Sequence, residues 1–543
     1  MNRKIIDFFK LFLIKKFSKI IYSSELNITP QDYISKLMII ILVSLISAIL
    51  LALFNIILSI FVIIIPIIYI CYPIFSVRKR KLLCEQELPF VITYLTIAAA
   101  SSYSISKAVL NLSSFNFLKA FKKEAERIDR IRRLYALSPI EAIIFESNFH
   151  PSQAVRELFS SIVTAERSGE SPFLIMRDEL IKSFSYLLSR LKIMSDKFSI
   201  IASAQMIVFI VIPMAVITIS IIFSSIIEIK HIFLSCIVLP CIFALIISMI
   251  IDSYYPKELS EPINIKYFLL SLISFPVAII LYYSTKAISF DYLLAITIIL
   301  FSLPITILYE RERRKTKQIL SLLPSFSRSI AEEVKKGNSP SRAIILLSEN
   351  SSSSFFNNLL KRIASHISIG YSISRTISYL KMPWIAKIYF EILEKAEEIG
   401  ANAKSMSALS DLMNNIYTSM KELESQTSLF KFSCYINSVI LPFSITIIVD
   451  VIIRIFTNIS IELNAYYFGI EIIKLESVPL LSLIAYSCVI LNAYLLGLLG
   501  GKISNGGSVV DGLKSSIICI TIAIITIFIL RDMKLINLLF GFR

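Results

Sequence analysis

"LLPSFSRSIAEEVKKGNSPSRAIILLS" (322–348) aligns without a gap on "ELPFVITYLTIAAASSYSISKAVLNLS" (87–113), 235 residues earlier. Seven of the 27 pairs are identical, among them Leu88/Leu323, Pro89/Pro324, Ser104/Ser339, Ala108/Ala343 and Ser113/Ser348. Further matches follow in the same order. "LSPIEAI" (137–143) pairs with "YSISRTI" (371–377), "AERSGE" (165–170) with "AEEIGA" (396–401), and Pro213 with Pro442. The offsets are 235, 234, 231 and 229, so the drift is a few deletions. A fixed order at a slowly drifting offset is the mark of an internal repeat.

Working outward, the flanks of both copies are strongly apolar. The chain has 543 residues, 56% of them hydrophobic, and a formal net charge of +16. A soluble protein would have to expose much of that apolar surface, which points to an integral membrane protein. A helical crossing needs about 20 apolar residues. Nine segments qualify: 37–55, 56–75, 199–226, 231–251, 267–284, 289–309, 430–454, 478–499 and 515–530. The first two form one run broken near Asn55, which is too long for one crossing and suits a hairpin. The expected organisation is a basic amphipathic segment (1–36), a hairpin (37–75), bundle 1 (76–198), four crossings (199–309), bundle 2 (310–429), three crossings (430–530) and a tail (531–543). The fold class is thus an all-α polytopic membrane protein with two duplicated helical bundles.

Charge sets the expected orientation. Residues 1–36 hold seven Lys/Arg against three acids, 76–198 hold 19 against 13, and 310–428 hold 17 against 12. With nine crossings these three segments share one face, which the positive-inside bias makes the cytoplasm. Arg78–Lys81 and Arg311–Lys315 follow the second and sixth crossings and read as lipid-headgroup anchors. The tail, with Arg531, then falls on the outer face against the rule. The start "MNRKIIDFFKLFLIKKFSKII" reads as a helix on the membrane surface or against the protein's own bundle rather than a cleaved signal. Asn458, in "NIS" on the outer loop, is a candidate glycan acceptor.

Each soluble block reads as a bundle of about six short helices. Gly337 suits a left-handed residue after a helix end, Ser339 an N-cap and Pro340 a first turn, and Ser138–Pro139 repeats that start. Leu88–Pro89 and Leu323–Pro324 are expected to begin helices, and Gly169 and Gly400 to end them. Gly497, Gly500 and Gly501 suit close helix packing.

The inventory disfavours catalysis. Three histidines (His150, His231, His366) stand far apart without partner spacing, and no cysteines form a CxxC pair, so no catalytic, cofactor or metal residues are expected. "GLLGGKIS" (497–504) lacks the first glycine and the hydroxyl residue of a phosphate loop, with Leu496 and Ile503 in their places. The crossings carry few ionisable groups, Asp450 and Arg454 being the main exception, which counts against a conduction pathway. A two-halved transporter with regulatory bundles remains the alternative, and a membrane enzyme acting on lipid-linked substrates is a third reading.

The Leu-Pro pair, "AEEVKKGNSPSRAI", the later "AEEIG" and the return into proline-containing crossings resemble the type II secretion system F domain. "NAYLLGLLGGKISNGGSVVDGLKSSI" (492–517), with its Gly501–Lys502 pair, is similar to the glycine-rich turn of archaellum platform proteins (FlaJ/ArlJ-like and TadC-like). One departure is Ser102, where the family usually has glycine. The resemblance implies a non-enzymatic platform in the cell membrane. It would couple a hexameric cytoplasmic ATPase to the insertion of pilin or archaellin-like subunits, work as a homodimer and take no cofactor or nucleic acid. The basic surface Arg132, Arg133, Lys335, Lys336, Lys361 and Arg362, with Glu397 and Glu398 as counter-charges, is the candidate ATPase contact.

Overall fold

A computed structural model describes residues 18, 20–24, 29–52, 56–222, 234–254, 276, 289–350, 354–462 and 478–532. Among them are seventeen α-helices and no strand. The protein is all-α and polytopic, with eight described helices long and apolar enough to cross a membrane. The expected fifth crossing, 267–284, lies outside the described residues except for residue 276. Two compact units form, one from residues 1–187 with 322–415 and the other from 188–321 with 416–543.

The first unit opens with a hairpin of α1 (Pro30–Ala52) and α2 (Ile56–Ala100). Tyr33 stacks on Tyr69 at 4.8 Å and donates its hydroxyl to the Tyr69 carbonyl. Ile39, Leu42, Val43 and Leu45 of α1 are each more than half exposed, an apolar face that suits lipid. The first bundle then comprises the end of α2, α3 (Ile105–Asn111), α4 (Lys119–Leu134), α5 (Pro139–Phe149), α6 (Gln153–Arg167) and the start of α7 (Pro172–Met206). The second comprises the end of α10 (Phe290–Lys335), α11 (Pro340–Asn350), α12 (Ser354–Ser368), α13 (Ile373–Tyr379), α14 (Trp384–Ile399) and the start of α15 (Ala403–Glu462).

Local chemistry explains the turns. Ser138 and Glu141 form a capping box, and Ser104, Ser339 and Ser372 each accept a backbone N–H three residues on. Left-handed backbone occurs at Ser102, Ala136 and Gly169 in the first bundle and at Gly337, Gly370 and Gly400 in the second. These pairs keep the sequence offsets of 235, 234 and 231. Around them the hydrogen bonds also correspond: Tyr103 N–H reaches Ala98 O as Asn338 N–H reaches Glu333 O, and Leu137 reaches Arg132 as Tyr371 reaches His366. Such six-to-one bonds close a helix end on a left-handed residue. Ser102, at φ 57°, therefore adopts the conformation that Gly337 supplies without a Cβ. Replacing Ser102 with glycine is expected to raise stability by about 1 kcal/mol, read as a higher midpoint of thermal unfolding. A lower midpoint would mean that the serine side chain, not the backbone, matters there.

Three expectations need correction. Leu88–Pro89 and Leu323–Pro324 do not start helices; they lie inside α2 and α10, which run from crossing into bundle without a break. Proline removes one helical bond, but Leu88 and Leu323 are 3% and 1% exposed, and their packing outweighs that loss. Arg80 of "RKRK" is not a headgroup anchor, because it is buried in the first bundle. Asn458 lies within α15 rather than in a loop. Residues 20–24 of the N-terminal segment pack on the first bundle, Ser23 donating to Phe149 O at 2.8 Å; residues 1–17 lie outside the description.

The second unit contains the end of α7, a π-helical stretch (207–211), α8 (Ile212–Ile222), a second π stretch (234–238), α9 (Leu239–Tyr254), the start of α10, the end of α15, α16 (Val478–Asn505) and α17 (Val509–Ile527). Its core holds Phe209, Cys236, Leu441, Ile445, Val489, Ala493, Leu496 and Ile520. The glycines expected to allow close packing do so. A Cβ on Gly497 would lie 2.5 Å from Ser516 Cα, on Gly500 2.6 Å from Cys434 Sγ, and on Gly501 2.6 Å from Gly512 Cα. Lys502 is fully buried, with Nζ 2.6 Å from an Asp252 carboxylate oxygen and 2.7 Å from Ser248 Oγ. Arg531, the residue at odds with the charge bias, pairs with Asp291 at 2.7 Å and lies over the rings of Tyr292 and Tyr486.

Candidate docking surface of the paired bundles

The two bundles, read separately in the sequence, belong to one compact unit. The join is built on α14. Glu391, 1% exposed, accepts the backbone N–H groups of Asn116 (2.5 Å) and Phe117 (3.0 Å), just ahead of α4. Burial pushes its carboxyl up from the usual range, and the two N–H groups act against that shift. On the same helix Trp384 donates Nε1–H to Phe117 O at 3.1 Å and meets Phe90 edge-on at 5.5 Å. Lys387 lies 5.4 Å over the Phe117 ring. Further along, Asn402 donates to Ala100 O at 3.1 Å, and the Lys404 ammonium sits 4.0 Å over the Phe173 ring.

Sequence reading missed this join, although two signals were present. Trp384 is the single tryptophan of the chain, and Glu391 interrupts the apolar "WIAKIYFEIL". Replacing Glu391 with leucine leaves two N–H groups without their acceptor, at an expected cost of about 2–4 kcal/mol. In detergent-solubilised full-length protein the Trp384 emission should shift to the red and the unfolding midpoint should fall. An unchanged spectrum and midpoint would remove Glu391 from the join.

A second buried arrangement lies inside the first bundle. Arg80, 1% exposed, grips Glu124 with Nε at 2.7 Å and a terminal nitrogen at 2.5 Å, reaches Glu146 at 2.6 Å, and donates to Ser23 O at 2.9 Å. Arg127 lies 3.8 Å from Glu146 and donates to Tyr22 O and Ser24 O. Two arginines thus offset two glutamates and together hold the carbonyl end of the N-terminal segment. Cys84, Glu124 and His150 bring ligand-type atoms within 4.8 Å of one another. The Arg80 guanidinium already satisfies Glu124, so a divalent cation there would face a centre whose charges are balanced. Ion pairing fits these residues better than metal binding.

The candidate partner contacts fall into three groups. Lys335 and Lys336 are exposed where α10 ends, Lys336 reaching Glu333 at 2.6 Å. Nearby, Glu397 accepts the Ser341 N–H at 3.0 Å and the Ser341 hydroxyl, so it caps α11. Glu398 pairs with Lys395 at 2.8 Å. These groups share one end of the second bundle. Lys361 and Arg362 are exposed midway along α12. Arg132 and Arg133 close α4 and both pair with Asp129, at 2.7 and 2.6 Å.

Residues 326–449 match the family model described as Type II secretion system (T2SS), protein F. The match covers most of the second bundle and the apolar stretch that follows it. No curated protein and no solved structure matches the chain. Those residues therefore carry the similarity to type II secretion system protein F that the sequence resemblance implied.

Proposed function

We propose that this chain is the assembly platform of an archaeal type IV pilus or archaellum-like machine, coupling a hexameric cytoplasmic ATPase to the insertion of pilin-type subunits. The family match over residues 326–449 carries this reading. Several features agree with it. The correspondence of left-handed turns, caps and helix order between the bundles supports a duplicated domain. The excess of Lys and Arg in 1–36, 76–198 and 310–428 supports placing both bundles in the cytoplasm of a multi-pass cell-membrane protein.

In this reading the motor contacts the bundle end that presents Lys335 and Lys336. Their ammonium groups are exposed, so they suit an acidic partner surface at little desolvation cost. Changing both to glutamate is expected to weaken co-purification of the assembly ATPase by about tenfold or more and to abolish surface filaments in cells. Retained binding after loss of both bundles would overturn the docking reading. Filaments unaffected by deletion of the gene would overturn the platform reading.

A further inference from the structure

We propose that the α4–α5 turn, Leu134–Ser138, seats in the headgroup layer of an anionic membrane, beside the crossing made by α2. The inference starts from helix direction within the first unit. Ala120 and Phe121, at the start of α4, donate their N–H groups to Glu87 at 3.0 and 2.8 Å. One turn later Glu124 meets Arg80, seven residues back along α2. The two helices are therefore antiparallel, and α4 descends toward the apolar part of α2. From Phe121 to Leu134 the rise is about 20 Å, and the same length of α2 below Glu87 ends near Phe75. Helix α5 agrees, since Glu146 returns to Arg80 and Pro139 lies two turns below it.

That level is the edge of the apolar run. Tyr72, Ile74 and Phe75 are each half or more exposed, and Arg78 and Lys79 follow at once. The stacked Tyr33–Tyr69 pair provides the aromatic anchor expected at such a boundary. At the same level the turn presents Leu134 at 72% exposure and Tyr135 at 63%, and the Tyr135 ring lies 5.7 Å from that of Phe145, 39% exposed on α5. Arg130, Arg132 and Arg133 flank it on α4 with Asp129, which pairs with the last two, and Glu141 follows on α5, where it caps Ser138. Large apolar side chains inside a basic collar are costly in water and match an anionic lipid surface.

The second bundle keeps the property while changing the residues. Ile369, Tyr371 and Tyr379 stand 234 positions after Tyr135, Leu137 and Phe145, and they too are exposed, Tyr379 to 80%. Arg375 lies 5.4 Å over the Tyr371 ring. The assignment moves Arg132 and Arg133 from the motor to the membrane. It requires only that α2 crosses the bilayer, so its failure would leave the Lys335–Lys336 test untouched.

The test is photo-crosslinking in the full-length chain, with p-benzoylphenylalanine at position 135 in place of tyrosine. The protein is reconstituted in vesicles of phosphatidylcholine with about a quarter phosphatidylglycerol. The comparison position is Tyr103, just past the end of α2 and about 40 Å from the level of Phe75. About tenfold more phospholipid adduct is expected at 135 than at 103, falling when Arg132 and Arg133 are both changed to glutamine. The same label at Leu134 should behave alike and guards against a local folding defect at 135. Lipid adduct no greater than at 103, or adducts to a co-purifying protein alone, would overturn the proposal.

Discussion

Replacing Arg80 with methionine is expected to destabilise the first bundle by about 3–5 kcal/mol, because it strands two buried carboxylates. Glu124 and Glu146 are 4% and 3% exposed, and Arg80 supplies the shortest charged contact to each. The Arg80 guanidinium holds the Glu124 carboxyl below its usual range despite burial, whereas burial pushes the Glu146 carboxyl up. Changing both glutamates to glutamine together with Arg80→Met should recover much of the loss, since no buried charge is then unpaired. The measurement is thermal unfolding followed by Trp384 emission in detergent-solubilised protein. A loss below about 1 kcal/mol for Arg80→Met would show that the centre contributes little. The same centre gives an acid limb. Burial pushes the His150 imidazole down from 6.5 to about 4, so between those values the unfolded chain binds a proton that the folded chain does not. Stability from this residue is therefore complete above pH 6.5 and is lost as the pH falls toward 4. His150→Gln should flatten that slope.

The second large effect is expected in the membrane unit, at Gly512. A Cβ there would stand 2.1 Å from Leu498 O and 2.8 Å from the same carbonyl carbon. Both are backbone atoms, so relief requires moving α16 away from α17 rather than turning a side chain. Gly512→Ala should cost about 3 kcal/mol or more, seen as earlier thermal aggregation and lower yield of folded protein. Thr521→Ala, half-buried on the same helix, should change stability by less than about 1 kcal/mol. Equal behaviour of the two variants would mean that the helices part easily and that the glycine contacts do not hold them.

Much of this protein could be read before folding because its informative signals are local or periodic. The capped starts at Ser138 and Ser339 follow from side-chain chemistry within three residues. The left-handed positions Gly169, Gly337 and Gly400 follow from backbone sterics. The proline pairs misled because their local preference for a break was outweighed by Leu88 and Leu323, whose burial depends on residues far away in the chain. Arg80 misled for the same reason: inside "RKRK" it looks like its neighbours.

Apolar run length by itself determined the all-α membrane class, and local motifs such as "AEEVKKGNSPSRAI" carried the resemblance to the secretion-system F domain. These are sums over neighbouring residues, and no tertiary contact is needed to evaluate them. Tertiary structure alone decided that Glu391 and Trp384 join the two bundles, that Arg80 is buried against Glu124 and Glu146, and that α4 runs antiparallel to α2. Each of these depends on which distant atoms surround a side chain, and that environment exists only once the helices have packed.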